Sequence, residues 1–146
     1  MRVEPRRQRR AAAIAAYRET LDLRQELKEK LPRRNKQGAI EAFVATAIDQ
    51  YHGDDGDQHE VLSRYLNYWE TIAAAALRGV IDVTVLNAIA GSTIRDLCND
   101  YQLYIEAVQK DQPVAFKQLT LLNDKLLPDP YPGARRAWLA LTRRLP

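Results

Sequence analysis

Glu70 is a candidate for acid–base chemistry, because its carboxylate lies next to Trp69 at the start of an alanine-rich apolar run. A second carboxylate three or four residues away would suit acid–base catalysis, but those positions hold Ala73 and Ala74. We therefore expect Glu70 either to face water at the edge of its helix or to meet a group on another helix. Arg95 is the candidate partner, in a structural or partner-binding pair.

The segment YHGDDGDQHE gathers imidazole and carboxylate groups, the types that bind metal ions. Calcium-loop spacing fails, because a glycine at loop position six would place Ile48 or Tyr51 at position one, where Asp is needed. The two histidines are seven positions apart across a flexible loop, unlike the ligands of a closed zinc site. We interpret the segment as a solvated turn and assign no metal ligand. The side chains considered are His52, Asp54, Asp55, Asp57, His59 and Glu60.

Cys98 is the one cysteine of the chain, so it cannot form an internal disulfide. It lies on an apolar helix face between Ile94 and Tyr101 without a local base, which favours a buried apolar role over nucleophilic catalysis. A free cysteine is typical of a reducing cytoplasm, where we expect the protein. No glycine-rich phosphate loop is present, so the sequence predicts neither catalytic residues nor a bound cofactor.

An arginine-rich stretch, RVEPRRQRR, opens the sequence. Cations at the start of a helix oppose its dipole, so local helix stability does not explain them. Guanidinium groups bind phosphate well, but no stacking aromatics are interleaved here and no helix-turn-helix is legible. Three interpretations stay open: a solvated or acid-paired arm, a nucleic-acid contact, and a contact with a membrane surface or an acidic protein. The arginines assigned as anion or partner contacts are Arg2, Arg6, Arg7, Arg9, Arg10, Arg135, Arg136, Arg143 and Arg144.

Charge is segregated along the 146 residues, which carry a net charge of +3. Residues 1–40 have a net charge of +7, residues 41–130 of −8 and residues 131–146 of +4. Basic ends that flank an acidic middle indicate either interaction tails or ends that fold back on the acidic body. The length fits one domain. Its parts are a basic N-terminal helix or arm (1–36), a helical core (37–127), and a proline-rich turn with a basic C-terminal helix (128–146).

Helical periodicity extends over almost the whole chain, so helices must position the side chains discussed above. A first helix is predicted from Pro5 to Leu31, with Ala13, Ile14, Tyr17, Leu21, Leu27 and Leu31 near one face. A third helix, 58–78, has the clearest apolar stripe, with Asp57 as its N-terminal cap and Gly79 as its C-terminal cap. The remaining predicted helices are 37–51, 83–90 (capped by Asp82 and ended by Gly91), 93–110, 113–127 (opened by Pro113) and a short one with Trp138, Leu139 and Leu141.

These elements predict an all-α, single-domain bundle of five to seven helices, with a long basic N-terminal helix that could project from it. The apolar run near Glu70 spans only residues 71–77, too short to cross a bilayer. We therefore expect no transmembrane segment.

The stretch LNYWETIAAAALRGVID, residues 66–82, resembles the core of a bacterial helical family, domain of unknown function 4760. In that family an aromatic–Glu pair precedes an apolar helix, a glycine, an aliphatic residue and an acid. The following helix, with LCNDYQLYIEAVQ, also fits. The resemblance covers residues 58–110 and implies a helical fold, with no catalytic residues to carry over. Members often begin with a membrane-spanning segment, which we do not expect here. The matching positions are Trp69–Glu70, 72–77, Gly79, Ile81 and Asp82.

The leading functional hypothesis is a non-enzymatic helical protein–protein interaction module, an adaptor or assembly component. It would bind another protein, or another copy of itself, through apolar helix faces. The alternative is an accessory protein that binds nucleic acid through its arginines. An enzyme would need a constellation of groups from distant helices, and the sequence shows none.

Overall fold

The computed structural model describes residues 5–53 and 56–126, and these form an α-helical bundle. No strand occurs within these two ranges, so the all-α prediction is confirmed. The described residues contain seven helices: α1 (Pro5–Glu19), α2 (Leu21–Glu29), α3 (Ala39–His52), α4 (Asp57–Leu77), α5 (Val83–Asp100), α6 (Gln102–Asp111) and α7 (Lys117–Leu126).

Helix α4 is the centre of the bundle, since α2, α3, α5 and α7 all pack against it. Its predicted apolar stripe is confirmed, because Leu62, Leu66 and Trp69 are fully buried. Gly79 ends the helix with a φ of +78°, the left-handed conformation that glycine adopts most easily. The predicted cap at the other end is wrong: Gly56 holds the cap position, and Asp57 is the first helical residue. The Asp57 carboxylate in the first turn still interacts favourably with the helix dipole.

The predicted N-terminal helix is interrupted at Thr20, between α1 and α2. The Thr20 hydroxyl donates to the carbonyl oxygen of Ala16 at 2.6 Å and is also hydrogen-bonded to the hydroxyl of Tyr68 on α4. A threonine that bonds back to its own helix tends to bend that helix, and the second bond fixes the bend against α4. Tertiary contact therefore sets the position of this break.

Helices α1 and α2 pack on the bundle and do not project, since Ala13 and Leu27 are 1% exposed. The predicted apolar face is confirmed in part. Ala13 and Leu27 are buried and Tyr17 and Leu31 are partly buried, but Ile14 and Leu21 are each 41% exposed. The buried face includes Arg24 instead.

Among the described residues, Arg24 is the one charged residue whose side chain is buried. Its guanidinium carbon lies 3.6 Å from the centroid of the Tyr17 ring, and Nη1 donates to the Tyr17 carbonyl oxygen at 3.1 Å. The ring face and the carbonyl both attract a cation, which offsets part of the cost of removing it from water.

The predicted break at Gly91 is wrong, because α5 runs without interruption from Val83 to Asp100. Gly91 is buried within this helix, and an added Cβ would meet Oδ1 of Asn87, the end of an exposed side chain that can move aside. Glycine does not end the helix here. The chain turns at Tyr101, which is 5% exposed and lies edge-on to Phe43 of α3.

Helix α7 begins later than predicted, because Pro113 opens a turn rather than a helix. The turn ends at Phe116, whose φ of 56° lies in the left-handed region, and α7 starts at Lys117. The proline-rich turn and the predicted helix with Trp138, Leu139 and Leu141 lie outside the described residues.

Candidate functional site

Glu70 lies where α4 passes the start of α7. Its Oε1 accepts a hydrogen bond from the backbone N–H of Gln118 at 2.6 Å, and its Oε2 accepts one from Leu119 at 3.1 Å. Amides in the first turn of a helix have no partner within the helix, and the helix dipole stabilises a negative charge at that end. Glu70 therefore caps α7 from a different helix.

The predicted pairing of Glu70 with Arg95 is corrected by these contacts. Arg95 Nη1 instead donates to Oδ1 of Asn87 on its own helix at 3.3 Å. The broader hypothesis, that Glu70 meets a group from another helix, is confirmed, but the group is a pair of backbone amides. The sequence pattern does not indicate this contact, because the predicted helix begins at Pro113. The helix begins instead at Lys117, after Phe116, whose side chain has no acceptor that could cap α7.

Cys98 is 7% exposed, which confirms its predicted burial on an apolar face. Burial, followed by the negative charges of Asp124 and Glu70, raises the pKa of the Cys98 thiol from 9.0 to about 12. The thiol is therefore neutral at physiological pH. This environment is that of a structural cysteine, since the thiolate is the reactive form.

Cys98 is expected to react with a disulfide reagent at pH 8 at least about 100-fold more slowly in the folded protein than in urea. Both the low exposure and the raised pKa reduce the supply of accessible thiolate. The measurement is the rate of labelling, with the urea-unfolded chain as the reference. Folded-state labelling within about tenfold of that reference, with helical circular dichroism intact, would contradict this account.

An apolar groove of about 560 Å³ runs between the α1–α2 pair and α4. Its floor includes Leu27, Ile72 and Ile81, which are 1%, 7% and 5% exposed. Leu23 of α2 stands at its edge and is 39% exposed. We use "apolar groove" for the whole of this surface, whose lining residues are Ala16, Glu19, Thr20, Leu23, Leu27, Arg64, Asn67, Tyr68, Thr71, Ile72, Ala75 and Ile81.

Sequence reasoning did not identify this groove. The α1–α2 wall carries Ala16, Thr20, Leu23 and Leu27, whose spacing of four, three and four residues would place them on one face of a continuous helix. The predicted stripe contains Leu27 but not the other three residues, since it follows Ile14 and Leu21 instead.

A family model described as Domain of unknown function (DUF4760) matches residues 1–126. The chain belongs to this family. The match confirms the resemblance seen in residues 58–110 and extends it toward both ends. Comparisons with curated proteins and with solved structures found no match.

Within this DUF4760 domain, no described helix is long and apolar enough to cross a membrane. The same described residues contain no group of three or more His, Cys, Asp or Glu side chains that could hold a metal ion. His59 Nδ1 lies 2.7 Å from the hydroxyl of Tyr104, and the ring packs beside Tyr51. His59 thus belongs to an aromatic cluster that joins α3, α4 and α6, while Asp54 and Asp55 lie outside the described residues.

The described part of the arginine stretch lies against the turn between α4 and α5. The backbone N–H of Asp82 donates to the carbonyl oxygen of Arg9 at 3.2 Å, and the Asp82 carboxylate lies 4.0 Å from Arg10 Nε. The same carboxylate caps α5 as predicted, by accepting from the N–H of Val85 at 3.1 Å. Arg6, Arg7, Arg9 and Arg10 are all exposed. Arg2, Arg135, Arg136, Arg143 and Arg144 lie outside the described residues.

Proposed function

We propose that this protein is a non-enzymatic helical interaction module, an adaptor or assembly component that binds another protein through the apolar groove. The observation that supports the proposal is the groove itself, in which partly exposed Leu23 stands beside a floor of buried aliphatic side chains. Apolar residues scattered singly on a surface need no explanation, but a continuous apolar depression is typical of a docking site. A cytoplasmic location is part of the proposal and rests on the free thiol of Cys98.

The two walls of the groove are held in a fixed relation before any partner binds. Arg24 and Leu27 bury α2 against the bundle, and the hydrogen bond between Thr20 and Tyr68 joins the walls directly. A preformed groove loses little conformational entropy on binding, which favours affinity.

Replacing Leu23 with glutamate is expected to abolish capture of the partner from native lysate after nuclease treatment. A charge at the groove edge would have to be buried without a counterion on binding. The matched control is Leu103→Glu, because Leu103 is an exposed leucine (66%) on α6, outside the groove. Proteins recovered by wild type and by Leu103→Glu but not by Leu23→Glu, identified by mass spectrometry, are the expected result. Equal recovery by all three chains would refute the groove as the docking surface.

A second candidate function is nucleic-acid binding, favoured by the exposure of the four described arginines at the start of α1. Arg10 remains 62% exposed despite its contact with Asp82, so the pair leaves the guanidinium open to a phosphate.

The nucleic-acid alternative predicts steeply salt-dependent binding to a duplex or single-stranded probe. Each phosphate contact contributes a slope of about −0.9 for duplex DNA in a plot of log affinity against log salt. Replacing Arg6, Arg7, Arg9 and Arg10 with glutamine should then abolish binding and the slope together. Affinity that survives both moderate salt and the fourfold substitution would count against this function.

A further inference from the structure

The apolar groove has the shape of a site for one helix. Its α4 wall extends from Arg64 to Ala75, a span of about 16 Å at the rise of an α-helix. This length matches about three helical turns, with apolar anchors at positions i, i+4 and i+7. An extended peptide is less suitable, because both walls are helices whose backbone hydrogen bonds are already made.

The charges around the groove are unevenly distributed. Glu19 is the one carboxylate among its described lining residues, and Arg64 is the one cation. Arg78 is exposed and lies three residues before Ile81, which lines the groove. The carboxylate of Glu70, also on α4, is hydrogen-bonded to the first turn of α7.

The basic helix α1 reinforces the positive charge near Ile81. It carries five arginines and one acidic residue, and the contacts of Arg9 and Arg10 with Asp82 hold its first turns beside the α4–α5 turn. Asp82 is the carboxylate next to Ile81, and it pairs with Arg10. The other arginines in the first turns of α1, together with Arg78, leave a net positive charge near Ile81, and Arg64 adds one cation near the opposite end of the α4 wall.

We propose that the partner segment is an acidic amphipathic helix of about three turns, with its apolar stripe in the groove and its carboxylates concentrated at the end beside Ile81. This inference rests on the proposed function and adds the conformation and charge of the ligand. A second copy of this chain and a basic helix are the alternatives that the test must distinguish from it.

The experiment selects binders to the full-length chain from a displayed library of random 16-residue peptides. A counter-selection against the Leu23→Glu variant removes peptides that bind elsewhere. The expected peptides have apolar residues at i, i+4 and i+7, carry net negative charge, and bind Leu23→Glu at least about tenfold more weakly. For these peptides the Arg78→Gln variant should lower affinity about threefold to tenfold at low salt and less at high salt. The matched control Lys110→Gln, an exposed cation on α6, should leave affinity unchanged.

The selected sequences decide between the outcomes. Basic or uncharged helical peptides in the groove would overturn the acidic-helix inference and leave the interaction function standing. Proline-rich or extended peptides, or no peptide that depends on Leu23, would overturn it as well. Self-association that Leu23→Glu abolishes, measured by sedimentation, would overturn it in favour of a second copy. The interaction function is judged separately by the lysate experiment.

Discussion

Replacing Glu70 with alanine is expected to lower the free energy of unfolding by about 2–4 kcal/mol. The carboxylate accepts two hydrogen bonds from first-turn amides of α7, at 2.6 and 3.1 Å. Removing it leaves the amides of Gln118 and Leu119 without these acceptors, and Leu119 is fully buried. Urea denaturation followed by circular dichroism measures the loss.

The isosteric Glu70→Gln variant separates the charge from the shape. One amide oxygen can accept, but the amide NH₂ cannot, so we expect about half of the alanine effect. The control is Glu29→Ala, since Glu29 is an exposed glutamate near the end of α2. Hydrogen exchange should show α7 amides losing protection first in Glu70→Ala. If Glu70→Ala and Glu29→Ala unfold at the same urea concentration, Glu70 does not act as a cap.

Replacing Trp69 with alanine is expected to cost about 3–5 kcal/mol, the largest effect of any single substitution proposed for this chain. Trp69 is fully buried in α4, and its ring lies edge-on to Tyr68 and Tyr65, with centroids 5.2 and 6.4 Å away. Truncation removes a large apolar surface and leaves a cavity at the centre of the bundle. Thermal and urea unfolding followed by circular dichroism measure the effect.

The Trp69→Phe variant is expected to lose about 1 kcal/mol or less. The indole N–H of Trp69 makes no hydrogen bond of regular geometry to a described residue, and its contact with the Tyr65 side chain is weak. Phenylalanine therefore removes a buried polar group at little cost while it keeps an aromatic ring. A cost for Trp69→Phe close to that of Trp69→Ala would show that the indole N–H contributes a contact absent from this account.

The helical class was predictable because helical periodicity extends over most of the chain, and α4 shows how far such a signal reaches. Its stripe, its glycine C-terminal cap and the family resemblance were all legible in residues 58–82. The interruptions between helices were harder to place. The sequence predicts a break at Gly91, yet Gly91 lies inside a continuous helix, whereas Thr20 interrupts a helix where it contacts Tyr68.

The partner of Glu70 and the apolar groove could not be predicted from the sequence, and the reason is the same for both. Both depend on which helices lie side by side, and that relation joins residues about 50 positions apart, such as Glu70 and Gln118. A one-dimensional pattern shows which face of a helix is apolar, but it does not show which neighbour meets the polar positions beside that face.

The cap supplied by Glu70 also affects how the sequence can evolve. Because the acceptor comes from α4, the residue before α7 need not be Ser, Thr, Asp or Asn, and Phe116 can instead serve as a core residue, 5% exposed, beside Tyr104. Positions 70 and 116 therefore share one selective constraint. A lineage that loses the glutamate would be expected to gain a small polar residue at 116 and to rebuild the aromatic contact elsewhere.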